Sequence, residues 1–206
     1  MEQPIFPTKG NLIATKKSLQ LSSLGFELLD RKRNILVREL MLKIDDAKRM
    51  KAEIAETFER AYKALEEANI TLGLVEDVAK GVPVDDGLSI GYKSVMGVEI
   101  PTVQLEERPP VLCYGLTQTN SKLDAAYMCF HEAKRMSAKL AEVENSVYRL
   151  ASAISKTQKR ANALQNIVIP RFSRTLKFIS DALEEKEREE FSRMKVIKKQ
   201  KEAHSE

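Results

Sequence analysis

Residues 36–68, LVRELMLKIDDAKRMKAEIAETFERAYKALEEA, belong to a run without proline that extends from Leu12 to Pro83. Apolar or small side chains recur in it every seven positions, and a second set follows three residues later. This double repeat is typical of a coiled-coil helix. The first set is interrupted once, at Arg33. Its members are Leu12, Leu19, Phe26, Leu40, Ala47, Ile54, Ala61 and Ala68, and those of the second are Thr15, Ser22, Leu29, Leu36, Lys43, Met50, Thr57 and Ala64.

The chain before this run is irregular, since prolines and a glycine fall within its first residues. We predict a lead-in over 1–11 and a coiled-coil helix over 12–72, about 90 Å long at 1.5 Å per residue. Thr8 or Asn11 can cap the helix, because a short polar side chain there accepts hydrogen bonds from free backbone N–H groups.

Composition agrees with long helices. Of 206 residues, 31% are charged and 6% aromatic, and glycine and proline number only 8 and 7. Such a chain is neither collagen-like nor of a disordered composition. Two cysteines, no apolar run long enough to span a bilayer and no apolar leader lead us to expect a reduced, cytosolic protein.

The segment 73–118 holds most of the glycines and prolines and interrupts the helical pattern. Within it, apolar and polar residues alternate on either side of Ser94–Gly97, which predicts a β-hairpin over about 88–104 with its turn at those four residues. Pro101 either ends the second strand or marks it as an edge strand. The residues that define the hairpin are Leu88, Ile90, Tyr92, Gly97, Val98, Ile100 and Pro101.

Heptads resume after the insert and predict a second coiled-coil helix over 119–201, followed by a tail over 202–206. Pro170 lies inside this pattern and should kink the helix, because proline lacks an N–H and collides with the preceding turn. One heptad set is Leu140, Val147, Ile154, Ala161, Val168, Thr175 and Ala182, and the other is Val143, Leu150, Thr157 and Leu164.

The predicted fold is mainly α: a long antiparallel two-helix coiled coil with a short inserted β-hairpin. We expect the hairpin at one end of a rod. The second helix is the longer, so its segment after about Asp181 should extend past the start of the first helix.

The sequence lacks the motifs that are typical of catalytic, nucleotide-binding and metal sites. It has neither a phosphate-binding glycine loop nor a dinucleotide fingerprint, and its histidines, His131 and His204, are far apart. Cys129 and His131 alone make neither a metal site nor a catalytic pair. We therefore expect no catalytic residue, no cofactor and no metal, and a protein that is not an enzyme.

Charge and aromatic side chains mark two candidate interaction surfaces. Basic residues outnumber acidic ones over 31–51, and an acidic band over 181–190 precedes a basic one over 191–201. Solvated helix faces explain most of this charge, although a bare tip of banded sign also suits docking into an acidic socket. The aromatic group near the insert either packs under the hairpin or binds a third protein; it comprises Phe58, Tyr62, Leu65, Tyr127 and Phe130.

The sequence resembles the D subunit of the V/A-type rotary ATPases, the central rotor stalk, over both helices and part of the insert. The C-terminal block is the most specific, and Ala161 and Gln165 depart from its expected Val and Glu. The matching stretches are Pro7-Thr8-Lys9 with Leu12, Gly25 with Leu28-Leu29 and Arg31-Lys32-Arg33 with Leu36, Gly97-Val98 with Ile100-Pro101, Lys159-Arg160-Ala161-Asn162-Ala163-Leu164, Ile169-Pro170, Thr175-Leu176, Phe178-Ile179, Glu187-Arg188-Glu189-Glu190-Phe191 and Arg193 with Lys195.

This resemblance implies an axle that rotates and so couples ATP hydrolysis or synthesis to ion transport. It implies contacts with the catalytic and non-catalytic ring subunits (the A and B subunits), with a small F subunit and with a funnel-shaped C or d subunit above the membrane ring. Nucleic acid and direct membrane insertion are not expected, so the cytoplasmic chain would reach the membrane through the complex. For such an axle we expect the ring to contact Arg31, Lys32, Arg33, Arg160 and Arg188. We expect the F subunit to bind the aromatic group.

Two other coiled-coil classes remain open from the residues alone. A prefoldin-like chaperone also joins two helices through β-hairpins, but it would expose apolar tips, whereas Glu184–Lys201 is nearly all charged. The stalk of an export ATPase is also an antiparallel rod, but it lacks an insert of this size.

Overall fold

The computed structural model describes residues 6–106, 111, 113–115 and 119–203, except for the side chains of 202 and 203. The first five residues of the lead-in, part of the insert, and most of the tail, with His204, lie outside the described residues. The elements in chain order are α1 (Lys9–Leu72), α2 (Glu76–Ala79), β1 (Leu88–Val95), β2 (Val98–Leu105), α3 (Ser121–Ala163), a π-helical turn (Leu164–Val168) and α4 (Ile169–Ala203). The predicted fold class, mainly α with one antiparallel hairpin, is confirmed.

Both long helices begin at polar caps. Thr8 Oγ1 accepts a 3.2 Å hydrogen bond from the backbone N–H of Asn11, so α1 starts at Lys9, ahead of the first heptad residue. Asn120 Oδ1 accepts a 3.1 Å bond from Leu123 N–H at the start of α3. Each cap satisfies a backbone donor that the first helical turn leaves without an internal acceptor.

The described chain divides into two compact units, of which the first contains residues up to Arg33 and from Lys156 onward. Its two helical segments are antiparallel, because Lys9 pairs with Glu187 at 3.1 Å while Arg33 bonds Gln158 at 2.8 Å. Every described side chain from Glu184 to Lys201 is exposed. The prediction that the end of the second helix extends past the start of the first is thereby confirmed within this unit.

The second unit contains residues 34–155, and its helices are also antiparallel. Lys51 pairs with Glu144 at 3.1 Å, and Lys122 with Glu67 at 3.6 Å. The seam between them is lined largely by small side chains, which let two helix backbones approach closely. The buried small residues are Ala61, Ala68, Ala126, Ala133, Thr57 and Ser146.

The hairpin turn is tighter than predicted. Val95 pairs with Val98, which leaves a two-residue turn at Met96 and Gly97 with φ of 51° and 74°. Positive φ at both positions is the geometry that fits the twist of two antiparallel strands. The expected four-residue turn is therefore wrong, since Ser94 and Val95 lie in β1. Pro101 lies within β2, opposite Tyr92, so it marks an edge and does not end the strand.

The hairpin lies along the helices of the second unit, and the expectation that it occupies an end is wrong. Ile100 packs in a buried cluster with Leu36 and Leu150, and Val95 and Val98 beside the turn pack against the same cluster. Leu36 is about 54 Å from the end of α1 at Leu72, at 1.5 Å per residue. Burial of Ile100, which is 7% exposed, explains why the insert folds back over the coiled coil.

The predicted disturbance near Pro170 coincides with the π-helical turn that precedes it. Proline would leave the carbonyl of Asn166 without its α-helical donor and would collide with it, and the wide turn includes Asn166. The turn takes up one additional residue, so the buried stripe shifts by one place: Ile179 is fully buried while Phe178 is 58% exposed. The predicted kink itself stays a prediction.

Candidate functional site

The candidate ring contacts in the first unit divide into exposed and internally bonded side chains. Arg31 and Arg160 are exposed, and Lys32 is half-buried. Arg33 instead donates from Nη1 to Gln158 Oε1 across the two helices, while its Nη2 pairs with Asp30 at 2.8 Å. Arg33 therefore fastens the two helices together at the position where the heptad pattern has a charge in place of an apolar residue.

Arg188 belongs to the charged arm, which we define as residues 184–201 of α4. It pairs with Glu184 at 2.5 Å, one helical turn away, and Arg193 pairs with Glu189 at 3.5 Å. Exposed pairs at this spacing add a few tenths of a kcal/mol each, about 0.3–0.5. The arm also exposes apolar side chains on the same helix, Phe191, Met194, Val196 and Ile197.

The rings of the predicted aromatic group make two separate sets of ring–ring contacts in the second unit. Tyr62 stacks on Phe58, with ring centroids 6.1 Å apart, and meets Phe130 of α3 edge to face at 5.5 Å. Tyr62 is nevertheless 60% exposed. Since each such ring pair contributes about 0.5–1.5 kcal/mol, the rings hold one another in place while leaving an exposed aromatic face.

Tyr127 belongs to the other contact. Its ring meets that of Tyr114 edge to face at 5.9 Å, and Tyr114 donates a 2.7 Å hydrogen bond to Asp124. Burial, together with the hydrogen bond to Asp124 as a smaller cause, raises the pKa of Tyr114 to about 12. These contacts tie the insert to the start of α3, so Tyr127 is engaged within the chain.

A mostly apolar cavity of about 390 Å³ lies between α1, α2, the insert and α3. Leu65, Tyr127 and Phe130 of the aromatic group line it, whereas Phe58 and Tyr62 do not. Lys134 and Asp85 form a 2.6 Å ion pair among the lining residues. The opposite wall, which was not predicted, is formed by Val75, Val78 and Val82, whose spacing of three and four residues is a weak helical signal.

An exposed apolar face on α1 was not predicted either. Leu21, Leu24 and Leu28 are 73%, 50% and 66% exposed, and their spacing places them on one side of the helix. A contiguous apolar face of this kind is more typical of a contact surface than of a solvated helix.

The hairpin is fastened to α3 by charged side chains. Arg149 donates to the backbone oxygen of Glu99 at 3.2 Å and lies over the ring of Tyr92, 5.3 Å from its centroid. Glu142 accepts a 2.9 Å bond from Val103 N–H. Of the predicted hairpin residues, Ile100 and Pro101 are buried and Val98 half-buried, while Leu88, Ile90 and Tyr92 are exposed.

In the part of the chain that the structure describes, no helix contains a stretch long and apolar enough to cross a membrane. The exposed surfaces described above are the cations, the charged arm, the leucine face of α1, the aromatic group with its cavity, and the hairpin.

Comparison with known proteins identifies the family. The family model for the D subunit of ATP synthase matches residues 11–199. The chain is 46% identical to the D subunit of the V-type ATP synthase of Thermotoga neapolitana, over 94% of this chain and 97% of that protein. It is 36% identical to the D subunit of the A-type ATP synthase of Pyrococcus furiosus, over 93% of this chain and 92% of that protein.

A third relative, the D subunit of the A-type ATP synthase of Methanosphaera stadtmanae, is 36% identical over 95% of this chain and 94% of its own length. The matches cover both long helices, the hairpin and most of the charged arm. They therefore decide between the family resemblance and the two coiled-coil alternatives. The chain belongs to the family of ATP synthase D subunits.

Proposed function

We propose that this chain, a member of the D-subunit family and hence a central-stalk subunit of a V/A-type ATP synthase, is the rotor axle of its complex. Its rotation couples ATP hydrolysis or synthesis in a ring of subunits to ion transport across a membrane. The observation that supports this best is the pairing of two long antiparallel helices over a match that runs from residue 11 to residue 199.

The role is mechanical and not catalytic. Two paired helices resist twisting better than one, and the pairing persists in both units through cross-helix contacts such as Lys9–Glu187 and Lys51–Glu144. An axle also has to move past its neighbours without adhering. Exposed ion contacts suit that task, because each contributes only about 0–1 kcal/mol and is easily replaced by the next.

The A and B subunits of the ring are the proposed partners of the exposed cations. Arg31, Lys32 and Arg160 are available to acidic surfaces of a ring, and so is Arg188, although it also pairs with Glu184 on its own helix. Arg33, by contrast, is bonded to Gln158 across the two helices. Reversal of these charges to glutamate should lower ion transport per ATP hydrolysed, since each removes an attraction and adds a repulsion. Lys139→Glu, at an exposed site of α3, is the matched control.

The measurement is coupled ATPase and ion transport in the complex reconstituted into vesicles. The four reversals are made singly and together. Unchanged coupling in the fourfold variant would contradict the ring assignment.

The F subunit is the proposed partner of the aromatic group. Tyr62 offers an exposed ring that is already oriented by Phe58 and Phe130, so little side-chain entropy is lost on binding. The double change Tyr62→Ala with Phe130→Ala should weaken binding of the F subunit about 10-fold or more, as for an aromatic hot spot. Tyr148→Ala, which removes a 75% exposed ring from α3, is the control.

The readout is a titration of the purified chain with the F subunit, with helicity followed by circular dichroism. Undiminished binding by a folded double variant would exclude the aromatic group as the contact. The funnel-shaped C or d subunit is the proposed partner of the end of the second unit where α1 stops at Leu72 and α3 begins at Ser121. The chain is held at the membrane through that subunit.

The decisive experiment for the function is recovery of the complex. A tagged chain is expressed in its source organism and purified from detergent-solubilised membranes. The proteins that co-purify with it are then identified. Recovery of both ring subunits, a small stoichiometric companion and ATPase activity is the expected result. Recovery of unfolded polypeptides or of export components would overturn the proposal.

A further inference from the structure

The hairpin register determines which backbone groups of each strand point outward. Val95 and Val98 flank the two-residue turn and exchange both of their hydrogen bonds. Bonded and non-bonded pairs alternate from there along an antiparallel ladder. The N–H and C=O groups of every second residue therefore point away from the other strand. They belong to Leu88, Ile90, Tyr92 and Ser94 on β1, and to Glu99, Pro101, Val103 and Leu105 on β2.

The outward edge of β2 is closed at three successive positions. Arg149 occupies the carbonyl of Glu99, and Glu142 occupies the N–H of Val103. Between them, Pro101 has no N–H to offer. This edge faces α3 and leaves no room in its hydrogen-bonding pattern for a further strand.

The outward edge of β1 is open in the described part of the chain. The sheet there has two strands, and every residue of β1 from Leu88 to Ser94 is exposed. Leu88, Ile90 and Tyr92 remain 48%, 56% and 61% exposed. The edge has none of the usual protections of a strand edge except Lys93, since β1 contains no proline and no acidic residue.

We propose that the outer edge of β1 is a docking site for an extended segment of a partner subunit, which adds a third strand to the hairpin. The inference rests on the proposed function, because the partner is a subunit of the same complex. Main-chain hydrogen bonds to the outward groups of β1 supply the affinity, and cross-strand contacts with its alternating apolar side chains supply the selectivity.

Charge defines the chemistry of that segment. Lys93 projects from one face of the sheet, and the guanidinium of Arg149 lies over Tyr92 on the other. The carboxylate of Glu99 is on β2, across from Ser94. The fitting partner is therefore an alternating apolar segment with an acidic residue opposite Lys93. A second copy of β1 fits less well, because it brings no acidic residue to that position.

Hydrogen exchange at single-residue resolution tests the proposal with the whole chain, free and in the complex purified from membranes. In the free chain, the amides of Leu88, Ile90, Tyr92 and Ser94 should exchange fast, while the alternate amides, which bond β2, are protected. In the complex, the outward amides should slow by about 100-fold or more, as for hydrogen-bonded strand amides.

Ile90→Pro is the variant that blocks the edge. It removes an outward N–H without removing a bond to β2, as Pro101 does on the other strand, so the hairpin should remain folded. The complex of this variant should lose protection at Leu88, Tyr92 and Ser94. Ile90→Val keeps the N–H and is the matched control, which should retain it.

Three results would overturn the inference. The outward amides could exchange equally fast in the complex and in the free chain. Their protection could survive Ile90→Pro, which would indicate that a partner shields these amides without pairing with β1 as a strand. Protection could also rise with the concentration of the chain alone, which would identify a second copy as the occupant. Absence of the chain from the ATPase complex would instead be a failure of the proposed function.

Discussion

Arg33 of α1 and Gln158 of α3 are hydrogen-bonded to each other across the first unit, with 2.8 Å between Nη1 and Oε1. The arginine occupies a seam position that the surrounding heptads give to leucine or phenylalanine. A single polar pair in such a seam fixes the register of two helices, because every shifted alignment leaves the polar groups without partners.

Replacement of the two partners should affect the free energy of unfolding differently. Gln158→Ala removes an acceptor from a half-buried guanidinium and should lower the free energy of unfolding by about 1 kcal/mol. Arg33→Leu fills the seam with an apolar side chain and should leave the free energy of unfolding unchanged or raise it. Urea unfolding followed by circular dichroism measures both. A larger loss of stability in Arg33→Leu than in Gln158→Ala would contradict this account.

Gly25 on α1 is expected to be replaceable with a gain in stability. A Cβ built there would lie 3.8 Å from Leu164 Cδ1, an ordinary van der Waals distance. Alanine in place of glycine within a helix contributes about 0.5–1 kcal/mol. Gly25→Ala should therefore raise the midpoint of thermal unfolding. The control is Gly10→Ala, in the first turn of α1, where a smaller gain is expected. A lower midpoint for Gly25→Ala would show that the seam has no room for the methyl group.

The attachment of the hairpin should depend on Ile100 more than on its charged contacts. Ile100→Ala leaves a cavity beside Leu36 and Leu150 and should cost about 2–4 kcal/mol. Arg149→Met removes an exposed hydrogen bond and a ring contact and should cost about 1 kcal/mol or less. Urea unfolding gives the free energies, and hydrogen exchange of β2 amides shows whether the hairpin detaches. Equal effects of the two changes would contradict the burial argument.

Alkaline pH should destabilise the insert through Tyr114. Its pKa is raised from 10.0 to about 12 in the folded chain, chiefly by burial, so the native state binds this proton more tightly than the unfolded state does. The stabilisation that this group contributes is fully present below pH 10.0 and is lost as the pH rises from 10.0 to about 12, so the free energy of unfolding should fall across that window.

Tyr114→Phe should remove that part of the pH dependence. The measurement compares urea unfolding of the two proteins across the same alkaline range. Tyr148→Phe, at a 75% exposed ring, is the control and should keep the slope of the unmodified chain. An identical slope after Tyr114→Phe would show that the phenol titrates normally.

Sequence periodicity predicted most of the fold, because heptads are a local signal that a long helix displays directly. Leu36, Ile54, Ala61 and Ala68 were placed in the seam by spacing alone and are buried. Alternation likewise predicted both strands. The position of the hairpin could not be predicted, because it depends on the contact of Ile100 with Leu36 and Leu150, which are far apart in sequence.

The candidate site was predicted only in part. Phe58, Tyr62 and Phe130 share a face because their helices are paired, and the heptads contain that information. The cavity wall formed by Val75, Val78 and Val82 was missed, because α2 has only four residues and three valines are too few to distinguish a helical spacing from chance. The hydrogen bond from Arg33 to Gln158 was also missed. The sequence around an arginine does not show whether its guanidinium binds a residue of the same chain or one of a partner.

The π-helical turn at Leu164–Val168 determines how the charged arm is rotated about the axis of α4. If the same residues formed a regular α-helix, the helix beyond them would be rotated by about 100° about its own axis, the angle of one α-helical residue. Phe178 would then replace Ile179 in the seam, and the bands of acidic and basic side chains would face another direction. Deletion of one residue within the turn should preserve the Lys9–Glu187 alignment, whereas deletion of one residue just beyond it should not. The direction in which the side chains of the charged arm point is therefore determined by one π-helical turn.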